Sequence, residues 1–231
     1  MARIIGLVGS IGSGKSTVSD ILVQHHGFIE RSFAGPLKKF VADVFGINHA
    51  SLYGPSQLRS MPLLHDLKYF DRVIHLATVE GAVFCLFGTE AERRANNIYD
   101  DVILDHFQSK VKAIKAMPVI TTRIILQQIG TDFARAIDKD VWVKAAVRDL
   151  VPTRSYVFPD CRFQNEVDEI HRLDGEIWWV DATERIGVNS SEHQSESLRA
   201  SECLYDRFLD NNGNQSDLKV LVDKLADEAK K

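Results

Sequence analysis

The stretch of sequence that decides the fold reads Gly9-Ser10-Ile11-Gly12-Ser13-Gly14-Lys15-Ser16. It fits the pattern G-x-x-x-x-G-K-[ST] at every position. Residues 3–8 before it, with apolar side chains at 4, 5, 7 and 8, predict a short buried strand, and residues 15–24 predict a helix with one apolar stripe. A glycine-rich turn between a strand and a helix lets backbone N–H groups face phosphate oxygens, and the helix N-terminus adds a favourable dipole. The sequence therefore predicts a phosphate-binding loop.

The residue types in this loop indicate what it binds. Lys15 is expected to reach the β- and γ-phosphates of a nucleotide, and the hydroxyl of Ser16 is expected to ligate Mg²⁺. We therefore predict ATP and Mg²⁺ as cofactors. A glycine-rich turn that arose by chance is the alternative, and the flanking strand and helix disfavour it. The expected nucleotide contacts are Gly9, Ser10, Ile11, Gly12, Ser13, Gly14, Lys15, Ser16 and Thr17.

The composition is that of a globular protein. Of the 231 residues, 45% are hydrophobic and 26% are charged, and no apolar run is long enough to span a bilayer. The formal net charge of −4 argues against a basic nucleic-acid-binding surface, so we expect neither a nucleic-acid nor a membrane partner. The three cysteines are widely spaced and form no C-x-x-C motif, which favours reduced thiols and a cytoplasmic location. The apolar N-terminus does not fit the pattern of a signal peptide.

Strands alternate with helices along the chain. This alternation predicts an α/β fold, the P-loop NTPase three-layer sandwich in which helices cover both faces of a parallel sheet. Beyond residues 3–8, strands are predicted at 28–31, 156–158, 176–180 and 207–210.

The length of the chain leaves room for an insertion. We expect a single domain over 1–231 with a mostly helical subdomain at 48–118, on the substrate side or at a dimer surface. Within it, residues 90–115 predict one charged helix, and residues 82–87 fit either a strand or a buried helical turn.

A phosphate loop alone leaves several classes of protein open. The chain has no N-K-x-D motif, which a GTPase would need, and it is small for a helicase or a transporter motor. A small-molecule kinase fits best. Such an enzyme brings two anionic substrates together by positioning and charge neutralisation, so the chain should offer cations outside the loop.

Candidate cations lie at three positions. Lys38 opens an amphipathic helix at 36–45, Arg72 follows Asp71, and Arg123 shares a helix face with Gln127. Each also has a simpler explanation, because isolated lysine and arginine side chains are usually solvated or form surface ion pairs.

Other polar and aromatic candidates lie in the second half of the chain. Trp142 has small residues on its helix face, which leaves room beside the ring, although a single tryptophan is more often part of a core. Asp160 follows an apolar strand, where an acid would bind Mg²⁺ or its water, but it also fits a turn. Arg162 and Glu166 follow, and Glu166 would ordinarily be solvated.

Together these segments resemble the bacteriophage deoxynucleoside monophosphate kinases, within the P-loop nucleoside monophosphate kinase group. The most specific matches are Ala-Gly-Pro-Leu-Lys at 34–38, Leu-Gln-Gln-Ile-Gly-Thr-Asp at 126–132 and Pro-Asp-Cys-Arg-Phe-Gln-Asn-Glu at 159–166. Residues 48–68 and 78–120 are poorly covered by the resemblance. It implies transfer of the γ-phosphoryl group of ATP to a deoxynucleoside 5′-monophosphate for DNA synthesis.

The resemblance implies a role for each matching residue. Lys15, Arg72 and Arg123 would be catalytic, with Lys38 beside the acceptor phosphate. Asp160 would join Ser16 at the metal and also contact the acceptor. The expected acceptor contacts are Lys38, Arg72, Gln127, Gly130, Thr131, Trp142, Asp160, Arg162 and Glu166, with Trp142 stacking on the base and Asp160 and Glu166 anchoring the sugar or base.

Three further expectations follow from the resemblance. Residues 183–199 would form a mobile lid, with Arg185 as its cation toward ATP. The protein would form a homodimer, and a phage protein would act in the cytoplasm of its host. Which bases are accepted stays open.

Two alternatives are carried forward. Another small P-loop kinase, such as one for dephospho-coenzyme A, shares the first motif and the lid. A non-catalytic nucleotide-binding protein would keep the loop without turnover. A panel of acceptor substrates separates these hypotheses.

Overall fold

The computed structural model describes residues 2–63, 77–186 and 204–228. The chain forms two compact units. One, which we call the sheet unit, comprises Met1–Phe33 and Val147–Lys231. The other, the helical unit, comprises Ala34–Ala146 and therefore extends beyond the predicted insertion at 48–118 on both sides.

The strands described all lie in the sheet unit and form one parallel sheet in the order β2-β3-β1-β4-β5. Because β1 is central and every strand is parallel, their carboxyl ends lie along one edge of the sheet, where ligands bind in open α/β sheets. The predicted α/β fold is confirmed. The strands are β1 (Ile4–Val8), β2 (Ile29–Glu30), β3 (Tyr156–Phe158), β4 (Glu176–Asp181) and β5 (Arg207–Asp210).

Helices connect the strands and make up the helical unit. In the described ranges no helix is both long enough and apolar enough to cross a membrane. A 3₁₀ turn (Ser56–Ser60) and a π-helical segment (Gln128–Arg135) complete the elements. In chain order the α-helices are α1 (Lys15–His26), α2 (Gly35–Phe45), α3 (His49–Tyr53), α4 (Ala77–Leu86), α5 (Glu90–Ala95), α6 (Asp100–Lys115), α7 (Thr122–Gln127), α8 (Val141–Val147), α9 (Gln164–Arg172), α10 (Thr183–Ile186) and α11 (Gln215–Glu228).

The two faces of β1 are covered by different helices. Ile5 and Leu7 point into an apolar core shared with α1 and α11. Because successive side chains of a strand alternate between faces, Gly6 faces the opposite side. There a Cβ atom would lie 2.9 Å from Cys161 Sγ and 3.2 Å from a carbon of Ile170, so α9 approaches the bare backbone of β1.

Aromatic rings dominate the core of the helical unit. The ring centroids of Phe40 and Phe107 are 6.1 Å apart, and those of Phe107 and Phe133 are 5.3 Å apart. Phe40 lies on the apolar stripe that the sequence predicts for α2. This unit therefore buries its own core.

The prediction of one helix over 90–115 is wrong, because the segment forms α5 and α6 with a break between them. At the break Asn97 has a left-handed backbone with φ of 57°, a conformation that asparagine tolerates better than most residues. The guanidinium of Arg93 is buried and binds both carboxylate oxygens of Asp100 across the break, at 2.8 and 3.2 Å. Residues 82–87 are helical up to Leu86, which resolves that ambiguity.

We expect Gly6→Val to lower the free energy of unfolding by about 2 kcal/mol, because the added carbons overlap side chains packed beneath α9. Denaturant unfolding measures this change. Gly81→Ala is the control, since a Cβ on this helical glycine meets nothing within 4 Å. It should raise stability by about 0.5 to 1 kcal/mol, the usual gain for this change in a helix. Equal effects of the two variants would contradict the close approach at Gly6.

Candidate active site

The loop after β1 has glycine at each of its positive-φ positions, Gly9, Gly12 and Gly14. Gly9 has φ of 146°, and Gly14, which precedes α1, has φ of 103°. Both values lie in the region that side chains disfavour. A Cβ at Gly9 would also overlap the carbonyl oxygen of Val180 on β4. The loop is therefore a backbone cradle at the carboxyl end of the central strand.

The side chains of Lys15 and Ser13 lie against the backbone of this loop. Lys15 Nζ donates to the carbonyl oxygens of Gly9 at 2.6 Å and Ser10 at 2.8 Å. The hydroxyl of Ser13 is buried and has no hydrogen-bond partner among the residues that the structure describes. The first turn of α1 contains no acidic side chain, so no carboxylate of that turn neutralises the positive end of the helix dipole. These features suit a bound polyphosphate.

The turn after β5 contacts the loop directly. Asn211 is only 6% exposed, and its Nδ2 donates to the carbonyl oxygen of Ser13 at 2.7 Å. Arg185 donates to the carbonyl oxygens of Asn211 at 3.2 Å and Gly12 at 3.4 Å. The structure thus brings Arg185, the predicted lid cation, to the phosphate loop.

A carboxylate at the end of β4 supports this turn. Burial raises the pKa of Asp181, but hydrogen bonds from Thr183 and from the side chain of Asn212 outweigh it and hold the pKa below its ordinary value. Asp181 is therefore ionised at neutral pH. Asn212 Oδ1 accepts from the backbone N–H of Glu184 at 2.9 Å, at the start of α10.

Asp160 lies at the same edge of the sheet as the loop. It is two residues beyond Phe158, which pairs with Gly6 of β1. Its carboxylate accepts from the Ser32 hydroxyl at 2.6 Å and from the backbone N–H of Phe33 at 3.0 Å. These bonds orient the carboxylate.

The described ranges contain no group of three or more histidine, cysteine or acidic side chains placed to hold a metal ion. A magnesium ion bound with a nucleotide needs fewer protein ligands, because phosphate oxygens and water complete its octahedron. Ser16, in the first turn of α1, and Asp160 are the residues whose oxygens suit it.

The carboxylate of Glu166 forms hydrogen bonds within the protein. It is 3% exposed, and its carboxylate accepts from the backbone N–H groups of Arg162 at 2.7 Å and Phe163 at 3.2 Å. Glu166 therefore caps the start of α9, which a carboxylate stabilises. Arg162 is exposed. Contact of either residue with an acceptor stays a prediction.

Trp142 and Gly130 contact each other in the helical unit. The indole is 3% exposed within the apolar core, and its Nε1–H donates to the carbonyl oxygen of Gly130 at 2.9 Å. Gly130 lies in the π-helical segment, where a Cβ would come 2.6 Å from Leu37. This packing role of Trp142 does not depend on a nucleotide, and base stacking stays a prediction.

The remaining candidates of the helical unit lie nearer its surface. Lys38 Nζ is 4.8 Å from the centroid of the Tyr53 ring, a cation–π distance. Arg123 is exposed and donates from Nε to the Ser60 hydroxyl at 3.1 Å. Gln127 and Thr131 are exposed.

Some predicted residues lie outside the described ranges. These are Arg72 and residues 187–199 of the predicted lid. Conversely, sequence reasoning missed the side-chain contact of Asn211 and the partners of Lys38 and Asp160. The position of Asn211, directly after a predicted strand whose end lies at the ligand-binding edge, is the signal in the sequence that could have found it.

Comparisons with known proteins identify the family of this chain. A sequence model of the family described as deoxynucleotide monophosphate kinase matches residues 3–222. A putative deoxynucleotide monophosphate kinase of Acanthamoeba polyphaga mimivirus is 29% identical over 210 residues, which cover 90% of this chain and 88% of that protein. The deoxynucleotide monophosphate kinase of Enterobacteria phage T4 is 24% identical over 187 residues, 72% of this chain and 76% of that protein. The chain therefore belongs to the deoxynucleotide monophosphate kinase family of phosphotransferases.

Proposed function

We propose that this protein transfers the γ-phosphoryl group of ATP to a deoxynucleoside 5′-monophosphate, giving the diphosphate and ADP for DNA synthesis. The observation that carries the proposal is the glycine cradle at the end of β1 with Lys15 inside it. Family membership supports the acceptor class. Because the named relatives come from a virus and a phage, we place the activity in the cytoplasm of a host.

The donor side follows from the loop. Backbone N–H groups and the start of α1 bind the phosphate chain. Lys15 exchanges its bonds to the carbonyl oxygens of Gly9 and Ser10 for phosphate oxygens. Ser16 and Asp160 would hold Mg²⁺, which would neutralise charge on the phosphates. Arg185 adds a cation beside the loop.

The acceptor side needs cations more than it needs a base. The acceptor phosphate is already ionised, so transfer requires alignment and charge neutralisation. We propose that Lys38, Arg72 and Arg123 supply the charge, with Arg72 and Arg123 on the transferred group. Closure of a lid at 183–199 would exclude water and limit ATP hydrolysis. The proposed contacts with the acceptor's base and sugar are Gln127, Gly130, Thr131, Trp142, Asp160, Arg162 and Glu166.

We also propose a homodimer formed through residues 48–118. Exposed apolar side chains on this segment support it, among them Met61, Tyr99 and Val102. Sedimentation equilibrium is expected to give twice the mass of the chain at micromolar concentration. The mass of one chain would contradict the proposal.

A coupled assay of ADP release tests the activity. We expect release with at least one common deoxynucleoside monophosphate and little with ATP alone. ADP release with dephospho-coenzyme A, but with none of the deoxynucleoside monophosphates, would favour the other kinase hypothesis. ATP binding with no acceptor-dependent release would favour a non-catalytic protein.

In the same assay Lys15→Ala should lower kcat about 100-fold or more, because the charge facing the transferred group is lost. The fold should survive, since the amine of Lys15 donates to carbonyl oxygens of its own loop, at Gly9 and Ser10. Lys224→Ala is the control, because this lysine lies on the exposed side of α11. The variant should have the kcat of wild type. Unchanged turnover of folded Lys15→Ala would sink the donor site.

Two substitutions of Trp142 separate stacking from packing. Trp142→Phe keeps a flat ring but removes the donor to Gly130, so it should cost about 1 to 3 kcal/mol of stability and leave the acceptor KM nearly unchanged. Trp142→Leu removes the aromatic ring, so stacking predicts about a tenfold rise in the acceptor KM. The KM for ATP is the internal control in both variants. An acceptor KM that Trp142→Leu leaves unchanged would rule out stacking.

A further inference from the structure

Hydrogen bonds to the carbonyl groups of the phosphate loop help to fix its conformation, and with it the direction of the N–H groups that face a ligand. Lys15 Nζ donates to the carbonyl oxygens of Gly9 and Ser10, the backbone N–H of Ser13 also donates to that of Ser10, and the backbone N–H of Val18 donates to that of Gly14. A ligand that binds Lys15 therefore removes a donor from Gly9 and one of two donors from Ser10. Contacts from outside the loop that the ligand leaves in place then help to hold its conformation.

Ser13 has such support from outside the loop. Its carbonyl oxygen accepts from Asn211 Nδ2 at 2.7 Å, in a buried bond between the end of β5 and the start of α1. A phosphate oxygen does not compete with Asn211 for the Ser13 carbonyl, since a carbonyl oxygen and a phosphate oxygen are both acceptors. This bond can persist while Lys15 changes partner.

Asn211 is itself held on its backbone. Its N–H donates to the carbonyl oxygen of Asp181 at 2.7 Å, which extends the pairing of β4 with β5. Its carbonyl oxygen accepts from Arg185 Nε at 3.2 Å. The backbone of Asn211, which carries the side-chain amide, is thus anchored to the end of the sheet and to Arg185.

The fit between this amide and the loop is close. A Cβ at Gly14 would overlap Asn211 Nδ2, so Asn211 occupies the space that any side chain at Gly14 would take. Gly14 directly precedes Lys15 and the first N–H groups of α1. A shift of Ser13 or Gly14 would re-aim those groups, and small misplacements of this kind cost binding and rate.

We propose that Asn211 is a positioning residue of the phosphate loop, whose side-chain amide holds the Ser13 carbonyl and so keeps the loop in its nucleotide-binding conformation. The inference rests on the proposed function only in that the loop binds ATP. It assigns Asn211 no contact with the nucleotide. Its effect reaches the phosphates through Ser13 and Gly14.

Equilibrium titration of the full chain with ATP, without any acceptor, tests the proposal. Asn211→Ala removes the donor, and Asn211→Asp keeps the size but presents an oxygen to the Ser13 carbonyl. Both should raise the Kd for ATP about tenfold or more, because a buried acceptor is left without its donor. Where turnover is measured, the KM for ATP should rise while the acceptor KM stays within about twofold of wild type.

Asn214→Ala is the matched control. Asn214 lies in the same turn, and its side chain accepts from the backbone N–H groups of Ser216 at 2.8 Å and Asp217 at 3.1 Å. Losing this cap of α11 lowers stability but does not touch the phosphate loop. Thermal melts establish that each variant is folded at the assay temperature. If one of the two Asn211 variants is not folded, the Kd of the other decides.

The outcomes separate this inference from the proposed function. The positioning role would be overturned if a folded Asn211 variant had the same Kd for ATP as wild type. It would also be overturned if the Kd for ATP rose no more than it does in Asn214→Ala. Wild-type protein is assayed in parallel for phosphorylation of deoxynucleoside monophosphates. If it phosphorylates none, yet binds ATP in a manner that depends on Asn211, the proposed function fails and the positioning role stands.

Discussion

The central strand β1 is hydrogen-bonded on both sides, to β3 and to β4, and all three strands run in the same direction. This constraint places the phosphate loop between the ends of its neighbours. Asp160 follows β3 and Asp181 ends β4, so each reaches the same edge by strand pairing alone. The chemistry of the site depends on this register more than on any single contact.

Part of the fold could be predicted because its signals are local. Short apolar runs predicted the strands, and a strand–glycine–helix pattern predicted the loop and α1. The break between α5 and α6 was missed, since charge and apolar spacing continue across it. The contact that accompanies the break is the pair of Arg93 with Asp100, which only the folded backbone brings together.

The candidate site shows the same division. Residue types singled out Lys15 and Ser16 as candidates, because the glycine-rich motif specifies which residue types contact phosphate and metal. Residue types did not identify the contacts of Glu166 and Asn211, because both side chains form hydrogen bonds with backbone groups of neighbouring turns. A carboxylate or amide in a functional segment looks the same in sequence whether it faces a substrate or the protein.

The turn after β5 has a consequence for how the protein ages. Asparagine followed by glycine, as in Asn212-Gly213, is the pair most prone to lose ammonia when the glycine nitrogen attacks the side-chain carbonyl carbon. In the folded chain the amide of Asn212 is held at both ends, by the carboxylate of Asp210 at 2.7 Å and by the N–H of Glu184 at 2.9 Å. The folded turn thus restrains the rotation this reaction needs. We therefore expect deamidation of Asn212 mainly in molecules that have unfolded. The modified residue would lie in the turn that contacts the phosphate loop.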